Sequence, residues 1–192
     1  YMEAVREECN VNGLLLIVDE VQTGMGRTGT YFGYQHYSIT PDIITMAKSL
    51  GGGVAIGAVE ATPEVSESLI PGTHASTFGG NPLAASAGIA VFKTIEDEDL
   101  CQRSVDMGRF FVGELERISE KCPFITEIRS LGLMIGVQLE IEGAPIVNTL
   151  LDRGVIINCT QNNVLRMIPA MTIPREVAEQ GLAVIEEVLI SV

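Results

Sequence analysis

The run Leu14-Leu15-Leu16-Ile17-Val18-Asp19-Glu20-Val21 constrains the fold of this chain more than any other segment. It is apolar on both faces until Asp19, the pattern of a central strand in a covered, parallel-type sheet, and it predicts a strand over 14–21. A helix over residues 2–9 precedes it and is stopped by Asn12-Gly13. Pro41-Asp42 leads into a second short strand over 43–46. The turn Gly51-Gly52-Gly53 precedes a third over 55–61. From Pro82 the pattern becomes helical, with Leu83, Ala87, Ala90 and Ile95 at helical spacing, Asn81 as N-cap and Pro82 in the first turn. That helix ends in the acidic run Glu96–Asp99, and another amphipathic helix covers 100–121. The remainder reads β-α-β-β-α: a strand over 125–140 broken at Leu131-Gly132, a helix over 145–153, strands over 155–158 and 164–168, and a helix over 176–188. These elements predict an α/β chain with a sheet-and-turn domain over 1–99 and a smaller α+β domain over 100–192.

Charge excludes some partners. Twelve basic against 25 acidic residues give a net charge of −13, which leaves no clustered Lys/Arg footprint for nucleic acid or an anionic membrane. No apolar run approaches the ~18–20 residues that span a bilayer. Cys9, Cys101, Cys122 and Cys159 are far apart and have no C-x-x-C or nearby His, so they read as reduced thiols of a cytoplasmic protein, and no metal site is expected. The opening residues are charged and helix-like, which argues against a leader. With no Met at position 1, the chain is expected to be part of a longer polypeptide.

Immediately after the first strand, Gly24-Met25-Gly26-Arg27-Thr28-Gly29 contains a formal G-x-G-x-x-G. A dinucleotide fingerprint needs a helix opening at the third glycine, its N-terminus facing the pyrophosphate. Here the chain continues TYFGYQHYSITP, turn-rich and without a 3.6-residue period, and the preceding strand ends in two carboxylates that would repel phosphate. No G-K-[ST] follows, so a P-loop is also excluded. His36 and His74 read as ordinary polar turn residues.

Asp19 and Lys48 carry the stronger chemical signal. Ligands of open α/β sheets sit at the carboxyl ends of the strands, where Asp19 lies. It either caps a local turn or faces a cation or protonated heterocycle. Lys48 emerges from the apolar segment Ile43–Ala47 into the glycine turn, either as a solvated strand-end lysine or as a partly desolvated, nucleophilic amine. Arg166, at the end of the strand over 164–168, reads by itself as a surface residue.

Taken in order, IVDEVQTGMGRTG, PDIITMAKSLGGG and STFGGNPLAA resemble the signature of the class III, fold-type-I pyridoxal-phosphate aminotransferases, the ornithine/acetylornithine branch being closest. The later NCTQNNVLRMIPAMTI is similar to the same branch, although Asn162-Asn163 stands where relatives often have glycine. The resemblance implies the C-terminal part of the fold-type-I transferase: part of the large-domain sheet plus the small C-terminal domain. It implies pyridoxal 5'-phosphate as cofactor, with Asp19 pairing the pyridine nitrogen, Val21 on the ring face and Gln22 at the phenolic oxygen. Lys48 would form the internal Schiff base and then shuttle the proton. Thr77 would reach the cofactor phosphate of a neighbouring subunit, with Ser76 nearby, in a homodimer with shared active sites. Arg166 would hold the substrate carboxylate.

The same resemblance implies transfer of an amino group from N2-acetylornithine, an ω-amino donor, to 2-oxoglutarate in arginine biosynthesis; ornithine and 4-aminobutyrate are the alternative donors. It also implies an upstream half that supplies a phosphate loop and an aromatic residue stacking on the cofactor. The chain is therefore expected to be inactive alone, or to be a non-catalytic half that needs its complement.

Overall fold

A computed structural model describes all 192 residues, which form two compact units, Tyr1–Cys101 and Gln102–Val192. In the first, helix α1 (Met2–Asn12) ends at Gly13 and is followed by β1 (Ile17–Asp19), β2 (Ile43–Met46) and β3 (Ala58–Ala61). These make a three-stranded sheet in the order β1-β2-β3. β1 and β2 are parallel, with Ile17 opposite Ile43 and Asp19 opposite Thr45; β2 and β3 are antiparallel. The Asp42 carboxylate organises the entry to this sheet, accepting from the Leu16 amide at 2.7 Å and from Arg6 of α1 at 2.6 Å. Both bonds, the Leu16 amide first, hold the Asp42 carboxyl below its ordinary range.

The strands are shorter than the apolar runs predict. Leu14 and Leu15 lie outside β1 and are more than half exposed, and the third strand starts at Ala58 rather than residue 55. After β3 come the single turn α2 (Pro63–Ser66) and the 16-residue α3 (Pro82–Asp97), which begins as expected, with Asn81 Oδ1 accepting from the Ala84 amide at 2.9 Å. α3 lies against the 3-10 turn Lys48–Gly51: a Cβ on its buried Gly88 would sit 3.5 Å from the Leu50 carbonyl. Phe92 of α3 stacks on Tyr31, the ring centroids 6.0 Å apart.

Helix α4 (Leu100–Ser119) leads into the second unit, followed by β4 (Ile125–Leu131), β5 (Met134–Leu139), α5 (Ala144–Asp152), β6 (Asn158–Thr160), β7 (Val164–Met167) and α6 (Arg175–Ile190). The sheet order is β4-β5-β7-β6 and every pair is antiparallel. Alternate residues Ile135, Val137 and Leu139 of β5 enter one core with Leu115 and Ile118 of α4, Leu150 of α5, and Leu182 and Leu189 of α6. Each such side chain contributes about 1.5–3 kcal/mol by burial.

On the outer side, Glu186 of α6 accepts a two-pronged bond from Arg117 and a further one from Lys121, which brings its carboxyl down to about 2. The strand expected over 155–158 instead forms at Asn158–Thr160, since only there does the chain reach β7, pairing Asn158 with Arg166. All four cysteines are free thiols, and burial pushes those of Cys101 and Cys122 up. No helix is long and apolar enough to cross a membrane, and no cluster of His, Cys, Asp and Glu could hold a metal ion.

Candidate functional site

Because β1 and β2 run parallel and in register, their carboxyl ends open on the same edge of the sheet. Asp19 is the last residue of β1. Its Oδ1 accepts from the Val21 amide at 3.0 Å and from Thr45 Oγ at 3.1 Å. Both bonds fall on one oxygen, so Oδ2 receives no hydrogen bond from the chain and remains available to a donor beyond it. The local-turn role and the ligand-facing role are therefore compatible. Val21 is half-buried just past the strand, and Gln22 beside it is exposed.

Lys48 follows β2 at the same edge. Its backbone has φ 48°, in the left-handed region, where a side chain with a Cβ is strained by about 1–2 kcal/mol. Its ammonium makes no ion pair or hydrogen bond. The partly desolvated amine expected from the apolar run is not what this chain shows: Lys48 is exposed, as are Gly52 and Gly53 in the turn that follows. Lys48 and Asp19 thus stand at the carboxyl ends of two neighbouring parallel strands, the amine without a partner and the carboxylate with one oxygen unused.

Ser76 and Thr77 lie in the exposed segment before α3. Ser76 lines a hollow of about 290 Å³ together with Ala55, Ile56, Gly57, Gly79 and Asn81. No hydrogen bond joins this segment to Asp19 or Lys48. Arg166 belongs to the second unit, on β7, where its Nε donates to Asn158 Oδ1 at 3.0 Å across the β6–β7 pair. That bond occupies Nε and leaves the two terminal amino groups to grip an anion end-on. Arg166 and Asn158 are the polar residues lining an otherwise apolar cavity of about 410 Å³, together with Phe111, Ile157, Met167 and Leu182 among others.

Two supporting residues escaped the sequence reading. Thr45 is a polar residue inside an apolar strand, and that was its only signal. Asn158 is identified only by its register with Arg166. A pyridine nitrogen needs an anionic acceptor and a cofactor carbonyl needs a free amine; Asp19 Oδ2 and Lys48 Nζ meet those needs at one sheet edge, so the residues present fit pyridoxal phosphate.

Comparison with known proteins bears on the family and the fold. Residues 1–189 match the family described as Aminotransferase class-III. The acetylornithine aminotransferase of Methanocaldococcus jannaschii is 46% identical over 188 residues, covering 98% of this chain and 47% of that protein. The Caldanaerobacter subterraneus enzyme of the same name is 45% identical over 190 residues, with 98% and 48% covered. Among solved structures, the ornithine aminotransferase of Toxoplasma gondii superposes with a TM-score of 0.93 at 36% identity, covering 100% of this chain and 47% of that one. The acetylornithine aminotransferase of Elizabethkingia anophelis gives 0.91 at 31%, covering 100% and 49%. The chain thus spans about half the length of the curated relatives it matches.

Proposed function

The chain belongs to the class-III aminotransferases, whose cofactor is pyridoxal phosphate, and from that premise we propose that it supplies the cofactor-binding lysine and aspartate of an enzyme that moves an amino group from N2-acetylornithine to 2-oxoglutarate, a step of arginine biosynthesis. The single observation that carries the assignment is the placement of a left-handed Lys48, its amine without a partner, and of Asp19, its carboxylate half-used, at the carboxyl ends of two neighbouring parallel strands. The donor rests on relatives at 38–46% identity that carry the name acetylornithine aminotransferase.

When bound, the cofactor supplies a protonated ring that withdraws the electrons released at the amine-bearing carbon of the substrate. Asp19 Oδ2 holds the proton on the ring nitrogen, its charge opposing deprotonation. Val21 presses on the ring face, and the Gln22 amide donates to the phenolic oxygen. Lys48 would be the residue that holds the cofactor through Nζ, and its free amine would take the proton from the amine-bearing carbon of the substrate as general base and deliver it, as general acid, to the cofactor's aldehyde-derived carbon. Ser76 and Thr77 bind the phosphate, Thr77 that of a second copy in a homodimer with shared sites. Arg166 takes the substrate carboxylate in a two-pronged pair.

The enzyme is read as cytoplasmic. A protein limited to these 192 residues is expected to lack turnover, because the chain spans about half its relatives' length.

Borohydride reduction of the full-length protein with cofactor, followed by peptide mapping, should place a pyridoxyl mass on Lys48 and none in Lys48→Ala. An adduct that persists in Lys48→Ala sinks the assignment. A panel of amino donors with 2-oxoglutarate then tests the substrate, and N2-acetylornithine should give the highest kcat/KM. Ornithine as donor is the second reading, favoured by the superposition on the Toxoplasma gondii ornithine aminotransferase at a TM-score of 0.93.

A further inference from the structure

Glu20 sits between two of these residues, Asp19 and Val21, yet it is only 2% exposed. A buried carboxylate is tolerated where both its oxygens are hydrogen-bonded, and here three donors reach them, two on Oε2 and one on Oε1. The Gly33 amide donates to Oε2 at 2.9 Å, the Tyr34 amide donates to Oε1 at 2.8 Å, and the Thr23 hydroxyl donates to Oε2. The main chain of Glu20 is held as well: its N–H donates to the Thr45 carbonyl at 2.9 Å, and its own carbonyl accepts from Gly24 at 2.9 Å. The glycine-rich loop that leaves the sheet at Glu20 thus returns to the Glu20 carboxylate at Gly33.

The approach is close. A Cβ on Gly33 would lie 3.0 Å from the Thr23 Cβ and 3.3 Å from Glu20 Oε2. Neighbouring side chains of an extended chain point to opposite sides, so Glu20 is turned inward where Asp19 is turned outward.

We propose that Glu20 is a positioning residue for the transamination site: by clamping the Gly33 and Tyr34 amides it fixes the backbone on both sides of itself, and so holds Asp19, Val21 and Gln22 in the orientation that receives the cofactor ring. The inference rests on the functional reading above, since it gives those three residues their roles. The physical reason is tolerance. A site misplaced by about 1 Å loses on the order of a hundredfold in rate, so a flexible loop next to Asp19 needs an anchor of its own. Glu20→Gln keeps the side-chain volume but turns one acceptor into an NH2 that faces a backbone N–H. Thr23→Val removes only the third donor.

The test uses the full-length protein as parent, Glu20→Gln and Thr23→Val. In the cofactor-free state, Glu20→Gln should speed hydrogen exchange at the amides of Val21–Gly24, Gly33 and Tyr34 by about tenfold, as for loss of one net hydrogen bond, with β5 and β7 unchanged. With pyridoxal phosphate, the Kd should rise about tenfold in Glu20→Gln and about two- to fivefold in Thr23→Val, and the circular dichroism band of the bound cofactor should shrink in the same order. Unchanged exchange overturns the proposal, and so does faster exchange with Kd and dichroism unchanged. Where Glu20→Gln does not fold, Thr23→Val decides: parental exchange, Kd and dichroism in that variant overturn the proposal. A parent that binds no cofactor refutes the functional reading and the positioning role with it, while the exchange arm separately reports whether the clamp exists.

Discussion

Thr45 reaches across the parallel pair to its register partner, its hydroxyl donating to Asp19 Oδ1 at 3.1 Å beside the Val21 amide at 3.0 Å. The two donors fix the carboxylate plane and turn the second oxygen outward. Asp19→Asn, which loses a charged acceptor, should weaken transamination and cofactor binding by about 10- to 100-fold, the equivalent of about 1.5–3 kcal/mol for a hydrogen bond to an ionised group. Thr45→Val removes one of two orienting bonds and should cost about 2- to 10-fold. Steady-state rates and cofactor titration measure both, and equal losses in the two variants would refute this division of roles.

Arg166 is oriented by Asn158 at 3.0 Å, which leaves its terminal amino groups free. Arg166→Lys keeps the charge but not the fork. KM for a carboxylate-bearing donor should rise about tenfold or more, with little change in KM for an amine that lacks the carboxylate. Asn158→Ala should raise the same KM by a smaller factor with kcat near parental. A kcat loss without a KM change in Arg166→Lys would remove Arg166 from carboxylate binding.

Long elements and their caps were legible in the sequence because local chemistry decides them: Asn81-Pro82 opens α3 and Leu131-Gly132 turns the β4–β5 hairpin. Strand limits were less legible, since pairing rather than apolarity sets them. Leu14 and Leu15 are as apolar as Ile17 but lie outside the β1–β2 register, and β6 forms at Asn158 because β7 meets it there. Asp19 and Lys48 could be suspected from their places at strand ends. Glu20 could have been separated from Asp19 by the alternation of an extended chain, which sends adjacent carboxylates to opposite sides. The spacing of Gly24, Gly26 and Gly29 gave no hint that the loop is anchored by that buried glutamate.

The tightest crossing in the second unit lies between α4 and the hairpin turn: a Cβ added to Gly108 would fall 2.2 Å from the Gly132 carbonyl oxygen. That contact is backbone and cannot swing aside. Gly108→Ala should destabilise this unit by about 1–3 kcal/mol through overpacking, more than offsetting the helix propensity alanine adds. Urea unfolding followed by a probe in the second unit would show it, and a variant as stable as the parent would mean that the helix and hairpin shift apart freely.

Asp42 links stability to acid. The Leu16 amide and Arg6 hold its carboxyl below the ordinary value of about 3.9, so the folded protein keeps it ionised to lower pH than the unfolded chain does. Its contribution is complete above the unfolded value and is lost as pH falls through the folded one. Asp42→Asn should therefore be less stable than the parent at neutral pH, and the difference should shrink as pH falls below about 4. Denaturation midpoints across that range measure it, and a gap that stays constant with pH would assign the loss to packing instead.

Lys48 sets stability against chemistry at one position. With φ at 48°, any residue carrying a Cβ bears the left-handed strain, and glycine alone escapes it. Lys48→Ala keeps the strain and removes the amine; Lys48→Gly removes both. The strain is about 1–2 kcal/mol, while glycine's extra freedom in the unfolded chain offsets about 0.5–1 kcal/mol. Lys48→Gly should therefore be more stable than Lys48→Ala by about 0.5–1 kcal/mol, with both devoid of transamination. Paired denaturant titrations of the two cofactor-free variants give the difference directly. A glycine variant no more stable than the alanine one would show that the backbone at residue 48 relaxes once the lysine is gone, and that the side chain itself imposes the turn.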